Sequence, residues 1–143
     1  MPYPEPRRGL VIRYAFLWSH EHARGAIEAS KDRPCGIIVA KVWERAENPT
    51  VVVLPITHAP PPEQGRSHLK LTGEECRAIG LDNGEHWVVL DEMNQFPWPG
   101  YDLRRIPGTE RFDYGMMPEP TFRRIVQAVL DLDARRKAAI RRD

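Results

Sequence analysis

The sequence predicts a mainly β protein: a small barrel or curled sheet of short strands with one amphipathic helix at its C-terminus. The 143 residues include 14 prolines, about twice the usual share of ~5%, and proline breaks helix interiors because it lacks a backbone N–H. Short apolar runs alternate with turn residues, as in small all-β domains. The last segment carries the one long run with helical apolar spacing. The length predicts a single domain.

Composition narrows the classes of function. The 21 Lys and Arg residues against 20 Asp and Glu leave a net charge of +1, which excludes a protein that coats nucleic acid with its whole surface but allows a local basic patch. Two cysteines, Cys35 and Cys76, are too few for a disulfide scaffold and predict reduced thiols in a cytoplasmic protein. No apolar run is long enough for a transmembrane helix, and Arg13 interrupts the apolar segment where a signal peptide would need an uncharged one.

The first predicted strand covers residues 10–18. Every second side chain in it is apolar (Leu10, Ile12, Tyr14, Phe16 and Trp18), the period of a half-buried strand. A polar stretch, residues 19–32, follows without a clear period and predicts a long loop.

Two buried strands come next, at residues 37–40 and 50–54, joined by a turn at residues 47–49. Pro55 lies inside the second run and indicates an edge position or a bulge. Residues 59–62 contain three consecutive prolines and predict a stiff surface loop.

The second half combines two strands with two helices. Residues 68–71 and 86–90 predict strands, and between them Thr72 and Glu75 form a capping box for a short helix that stops at Gly80. Residues 96–100 predict a loop rich in proline and tryptophan, which leads to a short piece around residues 103–106.

The C-terminal helix is predicted from apolar residues three and four positions apart. These residues are Phe122, Ile125, Val126, Val129 and Leu130. Beyond Leu132 the chain is basic, at Arg135, Arg136, Lys137, Arg141 and Arg142. A solvated helix end favoured by the helix dipole explains this run, and contact with nucleic acid is the alternative.

Common motifs for nucleotide, hydride and zinc-hydrolase chemistry do not occur in the sequence. His20 and His22 could offer two imidazoles to a metal, but spacing marks no third ligand. We therefore assign no metal and no cofactor from the sequence.

Polar side chains stand at the ends of the two buried strands. Arg33 precedes the first strand, while Thr57 and His58 follow the second. An antiparallel hairpin would bring Arg33 and Thr57 to the same end of the sheet, where a guanidinium, a hydroxyl and an imidazole could reach one phosphate. Alternatively, Arg33 pairs with Asp32 or Glu28 at the surface and Thr57 merely ends a strand.

The order of these segments resembles the PemK/MazF-like toxins of type II toxin–antitoxin systems. The resemblance rests on Lys-Asp-Arg-Pro at 31–34, Val-Val-Leu-Pro-Ile-Thr at 52–57, Gly-Leu at 80–81, the strand at 87–91, and Tyr-Gly at 114–115 before the last helix. It covers roughly residues 9–132 and leaves 133–143 as a basic extension.

The resemblance implies an SH3-like small barrel of the PemK/MazF/CcdB type, with a short helix and an amphipathic C-terminal helix. It further implies a homodimer, a cognate antitoxin, and metal-independent endoribonuclease activity of the mRNA interferase kind on single-stranded RNA. In such toxins the loop corresponding to residues 19–32 is a mobile wall of the RNA groove.

Arg33 and Thr57 match the family residues that act at the scissile phosphate, where the 2′-hydroxyl attacks to give a 2′,3′-cyclic phosphate. We add His58 because an imidazole beside Thr57 suits acid–base catalysis near neutral pH; a solvated loop histidine is the alternative. RNA contacts are expected from Lys31, Asn94, Gln95 and Trp98.

Two regions depart from the family pattern. The loop before Arg33 has Lys31 and Asp32 where many relatives are glycine-rich, and the second departure follows the strand at 87–91. Some relatives use an arginine and an aspartate just after the strand at 87–91, whereas residues 91–97 contain no arginine here. Phe96, Trp98 and Tyr101 nearby could stack unpaired bases, close the end of the barrel or form a dimer contact. Two other functions therefore stay open: a non-catalytic, gyrase-poisoning toxin of the CcdB-like kind, and a diverged inactive relative that binds nucleic acid.

Overall fold

The computed structural model describes residues 3–19, 31–41, 48–61 and 67–140, with side chains described as far as Arg135. Within these ranges the chain forms seven strands and two helices. In chain order they are β1 (Leu10–Ala15), β2 (Asp32–Lys41), β3 (Thr50–Thr57), β4 (His68–Leu71), α1 (Gly73–Ile79), β5 (His86–Val89), β6 (Asn94–Pro97), β7 (Asp113–Met116) and α2 (Glu119–Ile140).

All strand pairs are antiparallel, and the strands form one curled sheet. The order is β4-β5-β3-β2-β1-β7, and β6 also pairs with β3. The sheet is therefore a half-barrel accompanied by two helices, which confirms the predicted mainly β class. Among the described residues, no helix has both the length and the apolar character required to cross a membrane.

Strand β3 lies in the centre of the sheet, and one of its two neighbouring strands changes along its length. Its first half, Thr50 to Val53, pairs with β6, and its last residues, Ile56 and Thr57, pair with β5. Pro55 stands between these halves and faces Cys35 of β2. The prediction that Pro55 lies at a sheet edge was wrong. Pro55, which has no backbone N–H, lies at the point where β3 changes its partner from β6 to β5. The register shift, which would mark a bulge, lies in β2 between Ile37 and Val39.

Strand β1 separates two hydrophobic clusters. The first core cluster contains Ile12 and Tyr14 from β1 and Phe16 directly after it, with residues of β2, β3 and β6. The second contains Val11, on the opposite face, with Ile125 of α2 and residues of α1, β3 and β5. The strand is thus buried on both faces rather than half-buried as predicted, because α2 covers the face away from the first cluster.

Helix α1 begins and ends as the sequence predicts. Glu75 N donates to Thr72 Oγ1 at 3.0 Å, and Thr72 N donates to Glu75 Oε1 at 2.9 Å, the two bonds of a capping box. Gly80 adopts the left-handed conformation with φ 99° and donates to Cys76 O, which ends the helix.

Helix α2 buries a stripe that differs from the predicted one. The residues packed on the second cluster or buried are Thr121, Phe122, Ile125, Ala128, Val129 and Leu132. Leu130 is 57% exposed, contrary to its predicted place on the core face, because one residue turns the helix by about 100° from Val129. Arg135 is exposed, whereas the side chains of the other basic residues of this end, Arg136, Lys137, Arg141 and Arg142, lie outside the described part.

Two strands were not predicted. Residues 94–97 form β6 where the sequence indicated a loop, and residues 113–116 form β7. The predicted short piece near residue 103 amounts to a single bridge between Leu103 and Tyr14. Most of the predicted loop at 19–32, part of the turn at 47–49 and residue 62 of the proline loop lie outside the described residues.

Candidate functional site

A cleft of about 930 Å³ opens where β2 begins and β3 ends. It brings together four of the predicted site residues. Lys31, Arg33, Thr57 and His58 all line it, with Arg13, Asp82, His86 and Tyr114 from other parts of the chain.

The antiparallel register of β2 and β3 explains why Arg33 and Thr57 share this cleft. Cys35 pairs with Pro55, so the same register continued by two residues brings Arg33 opposite Thr57. On its other side Arg33 pairs with Tyr14 of β1. The hairpin predicted from the sequence therefore places these two residues at one end of the sheet.

Arg33 contacts an aromatic ring through its guanidinium and a buried thiol through its backbone carbonyl. Its Cζ is 4.9 Å from the centroid of Trp18, the range of a cation–π contact. Cys35 is fully buried and its Sγ donates to Arg33 O at 3.7 Å. Burial raises the pKa of the Cys35 thiol far above its ordinary value, and the positive charge of Arg33 offsets only part of this shift. Cys35 is therefore a protonated core residue.

Thr57 and His58 present a hydroxyl and an imidazole at the end of β3. Thr57 Oγ1 accepts from Ala59 N at 3.1 Å, which leaves the hydroxyl proton available to donate. His58 Nδ1 lies 3.0 Å from Glu85 O. Because a carbonyl only accepts, Nδ1 carries the proton of this contact, and Nε2 is the other ring nitrogen.

Arg13 is a cleft residue that sequence reasoning did not assign to the site. Its Nη1 donates to Tyr114 Oη at 3.2 Å, and its Nε lies 3.8 Å from Asp32 Oδ2. The other oxygen of Asp32 lies 3.8 Å from Arg104 Nε. The signal in the sequence was a charge in the middle of an apolar strand, which is costly unless the charge is paired or used.

Asp82 and His86 form a second group that sequence reasoning missed. His86 Nε2 is 3.0 Å from Asp82 Oδ1 and 3.2 Å from Asp82 O, and His58 Nε2 is 3.4 Å from the same Oδ1. The rings of His58 and His86 have centroids 4.3 Å apart. The spacing of Asp82 and His86, four residues apart after the helix stop, was the available signal.

The charge of the cleft is mixed. Arg13, Lys31, Arg33 and Arg111 contribute cations, and Asp32, Asp82 and Asp113 contribute carboxylates. Arg111 Nη2 lies 3.0 Å from Asp113 Oδ2. A ligand phosphate would therefore meet a few positioned cations rather than a broad basic surface, in line with the net charge of +1.

The remaining residues predicted to contact RNA lie away from this cleft. Asn94 and Gln95 line a separate cleft of about 480 Å³. The Asn94 amide is engaged by the backbone of Leu17, whose N–H it accepts and whose carbonyl it donates to, both at 2.8 Å. Gln95 is exposed on β6.

Trp98 requires a correction. Its side chain belongs to the first core cluster with 6% exposure, and its Nε1 donates to Pro4 O at 3.1 Å. The indole is packed between the sheet and the N-terminal segment, so it offers no open face to a base. Phe96 is buried too, whereas Tyr101 is 99% exposed. His20 and His22 lie outside the described residues.

In comparisons of its sequence with known proteins, the chain matches no protein-family model and no curated protein.

Proposed function

We propose that the protein is a metal-independent endoribonuclease for single-stranded RNA, built on an SH3-like small barrel and acting as the toxin of a type II toxin–antitoxin module. The observation that carries the proposal is the convergence of Arg33, Thr57 and His58 on one cleft. Arg33 and Thr57 come from the two strand ends that the sequence resemblance singled out, and His58 directly follows Thr57.

The chemistry of RNA cleavage suits this set of side chains. The substrate supplies its own nucleophile, the ribose 2′-hydroxyl, so the protein needs only to bind the phosphate, stabilise charge and move protons. The thiol nearest to Arg33, that of Cys35, is buried with a raised pKa and is not needed as a nucleophile.

Arg33 stabilises the negative charge that develops on the phosphorane oxygens. A guanidinium binds two phosphate oxygens through parallel N–H donors. The contact with Trp18 at 4.9 Å helps to orient the guanidinium before substrate binds, and such prior orientation is a main source of electrostatic catalysis.

Thr57 positions the phosphate. Its Oγ1 already accepts from Ala59 N, so the hydroxyl proton points elsewhere and donates to a non-bridging phosphate oxygen. His58 takes the proton of the 2′-hydroxyl at Nε2 as the O2′–P bond forms, and gives it to the 5′-oxygen as the P–O5′ bond breaks, because Nδ1 is held by Glu85 O at 3.0 Å. The 3.4 Å between Nε2 and Asp82 Oδ1 exceeds a normal hydrogen bond and leaves Nε2 able to turn to a substrate oxygen.

The proposal also includes binding partners: flanking RNA, a cognate antitoxin and a second copy of the chain. Lys31, at the cleft rim, contributes a phosphate contact from the flanking RNA. A cognate antitoxin would cover the same cleft with an acidic segment, and the active form would be a homodimer. These partners rest on the resemblance of the sequence alone.

The decisive experiment is RNA cleavage in the presence of EDTA. Wild type is expected to cut a long single-stranded RNA and to leave 2′,3′-cyclic phosphate and 5′-hydroxyl ends, the latter read by direct labelling with polynucleotide kinase. Arg33→Ala is expected to lower the rate by roughly 100-fold, the scale of removing one electrostatic donor.

Arg105→Ala is the matched control, because this exposed arginine contacts Phe112 and does not line the cleft. Its rate should stay within about twofold of wild type, as for an ordinary surface change. The proposal is abandoned if wild type leaves the RNA intact, or if Arg33→Ala, shown to be folded by circular dichroism, cuts as fast as Arg105→Ala.

A further inference from the structure

We propose that His58, Asp82 and His86 form a binding site for a divalent transition-metal ion, with Zn²⁺ as the probe. The three side chains each offer one ligand atom, and these atoms all lie within 4.8 Å of one another. Two imidazoles and one carboxylate are a common protein ligand set for such ions.

The distances fit a common centre. With Zn–N near 2.0–2.1 Å and Zn–O near 2.0–2.2 Å, ligand atoms at a tetrahedral ion are about 3.3 Å apart. Asp82 Oδ1 is 3.4 Å from His58 Nε2 and 3.0 Å from His86 Nε2. Asp82 is thus already at ligand spacing from both imidazoles. The ligand atoms of the two rings lie within 4.8 Å of each other, so an approach of at most about 1.5 Å completes the set.

The hydrogen bonds around His58 favour a cation. Glu85 O holds Nδ1 of His58 at 3.0 Å, the outer-shell contact that fixes a ligating histidine and makes its other nitrogen basic. In that tautomer the lone pair of Nε2 faces the Asp82 carboxylate. Two electron-rich atoms at 3.4 Å are stabilised by a positive ion between them. His86 Nε2 faces the carbonyl Asp82 O at 3.2 Å and therefore donates in the metal-free protein, so its proton must move to Nδ1 before Nε2 binds a metal.

The three ligand residues differ in burial and in how firmly their surroundings hold them. His86 is 2% exposed in β5, so it is the fixed ligand. Gly84 adopts φ +133°, and a Cβ there would lie 3.5 Å from His58 Cε1, so the loop before β5 lies directly against the His58 ring. The side chains of His58 and Asp82 are 58% and 70% exposed, which gives an ion access from solvent.

The ligand types select the class of metal. Imidazole nitrogen suits Zn²⁺, Co²⁺ and Ni²⁺, whereas Mg²⁺ and Ca²⁺ prefer sites made of oxygen atoms. Three protein ligands leave a coordination position open on a tetrahedral ion. That position would be filled by solvent or by a ligand in the cleft.

The site does not require the proposed ribonuclease activity. A metal on His58 Nε2 occupies the nitrogen to which we assign proton transfer, so the two roles exclude each other at this atom. Binding is therefore tested without RNA, and its failure leaves the ribonuclease proposal untouched.

The experiment is isothermal titration of the full chain with Zn²⁺. Wild type is expected to bind one ion at this site. Asp82→Asn, a change at an exposed side chain, is expected to weaken binding by more than about tenfold, since loss of an outer-shell partner alone costs 10–100-fold. Glu119→Gln removes the same charge at an exposed side chain that pairs with Arg123 and does not line the cleft, and its affinity should stay within about threefold of wild type.

A long-range ¹H–¹⁵N spectrum of the histidine rings identifies the ligands. Addition of Zn²⁺ should shift Nε2 of His58 and of His86. The proposal is overturned if no binding occurs, if Asp82→Asn and Glu119→Gln bind equally well, or if the shifts fall on other histidines. Circular dichroism of each variant separates loss of the site from loss of the fold.

Discussion

The guanidinium of Arg33 lies over the indole of Trp18, with Cζ 4.9 Å from the ring centroid. Trp18 packs in turn on the first core cluster and contacts Phe16 edge-on, with ring centroids 5.2 Å apart. The side chain at the centre of the proposed active site is thereby connected to the rigid interior of the sheet.

Trp18→Leu is expected to lower kcat for RNA cleavage about tenfold with a smaller change in KM, because a cation–π contact contributes up to about 2 kcal/mol and Arg33 would lose its fixed orientation. Trp18→Phe, which keeps a ring face, should retain more of the rate than Trp18→Leu. Single-turnover cleavage and thermal unfolding of both variants check this. Equal losses in the two variants would point to packing rather than to orientation of Arg33.

Glu75 connects the two helices and makes stability depend on pH. Its Oε2 accepts from Thr121 Oγ1 at 2.6 Å, and its Oε1 accepts from Thr72 N and from Arg124. Burial raises the pKa of this carboxyl, but the hydrogen bonds from Thr121 and Thr72 and the charge of Arg124 outweigh burial, so the pKa lies below its usual range.

A carboxyl whose pKa is lower in the folded than in the unfolded state stabilises the fold at pH values above its unfolded pKa of about 4.3. This stabilisation is lost as the pH falls through the folded-state pKa. Glu75→Gln is therefore expected to lower the free energy of unfolding at pH 7 by about 1–2 kcal/mol, and the difference should shrink below about pH 4.3. Urea titrations from pH 7 to pH 3 measure it. The exposed neighbour Glu74 provides the control, and a loss in Glu74→Gln as large as in Glu75→Gln would contradict the argument.

The predicted and observed structures agree where the signal is local. Helix α1 was predictable because its capping box and stop lie within nine residues, Thr72 to Gly80. Strand β6 was not, because Asn94, Gln95 and Pro97 are poor strand formers and residues 94–97 become a strand by pairing with β3. Likewise β7 contains Gly115 and depends on β1 as its partner.

The same distinction applies to the site. Arg33 and Thr57 could be placed together because a single hairpin joins them. Asp82 and His86 reach His58 only through the pairing of β5 with β3, and Arg13 meets Asp32 through the pairing of β1 with β2. The four-residue spacing of Asp82 and His86 indicates that these two lie together, but spacing along the chain does not predict their contact with His58 or that of Arg13 with Asp32.

Asn94 is expected to act on stability rather than on RNA binding. Replacement by alanine leaves the N–H and carbonyl of Leu17 without their described partners, which costs about 1–3 kcal/mol. Gln95→Ala, on the exposed neighbour, should change stability by less than about 0.5 kcal/mol. Chemical denaturation and fluorescence anisotropy with labelled RNA test both variants. Unchanged stability with weakened RNA binding in Asn94→Ala would restore the direct contact predicted from the sequence.

The contact between α1 and β7 depends on glycine at the helix stop. Gly80 has φ +99°, and a Cβ there would lie 2.7 Å from the backbone oxygen of Tyr114, an atom held in β7 that cannot easily move away. Gly108 also has a positive φ, +78°, but a Cβ there would meet no atom within 4 Å. The pair therefore separates backbone strain from steric overlap.

Gly108→Ala is expected to lower the free energy of unfolding by about 1–2 kcal/mol, the penalty of the left-handed conformation alone. Gly80→Ala carries the same penalty and must also displace β7 from α1, so it is expected to lower the free energy of unfolding by about 2–5 kcal/mol in total. Urea unfolding measures both free energies, and the m-value shows whether each variant still unfolds in one step. Equal costs at the two positions would mean that β7 yields to the added methyl group and that the close approach of Gly80 to Tyr114 O does not constrain the fold.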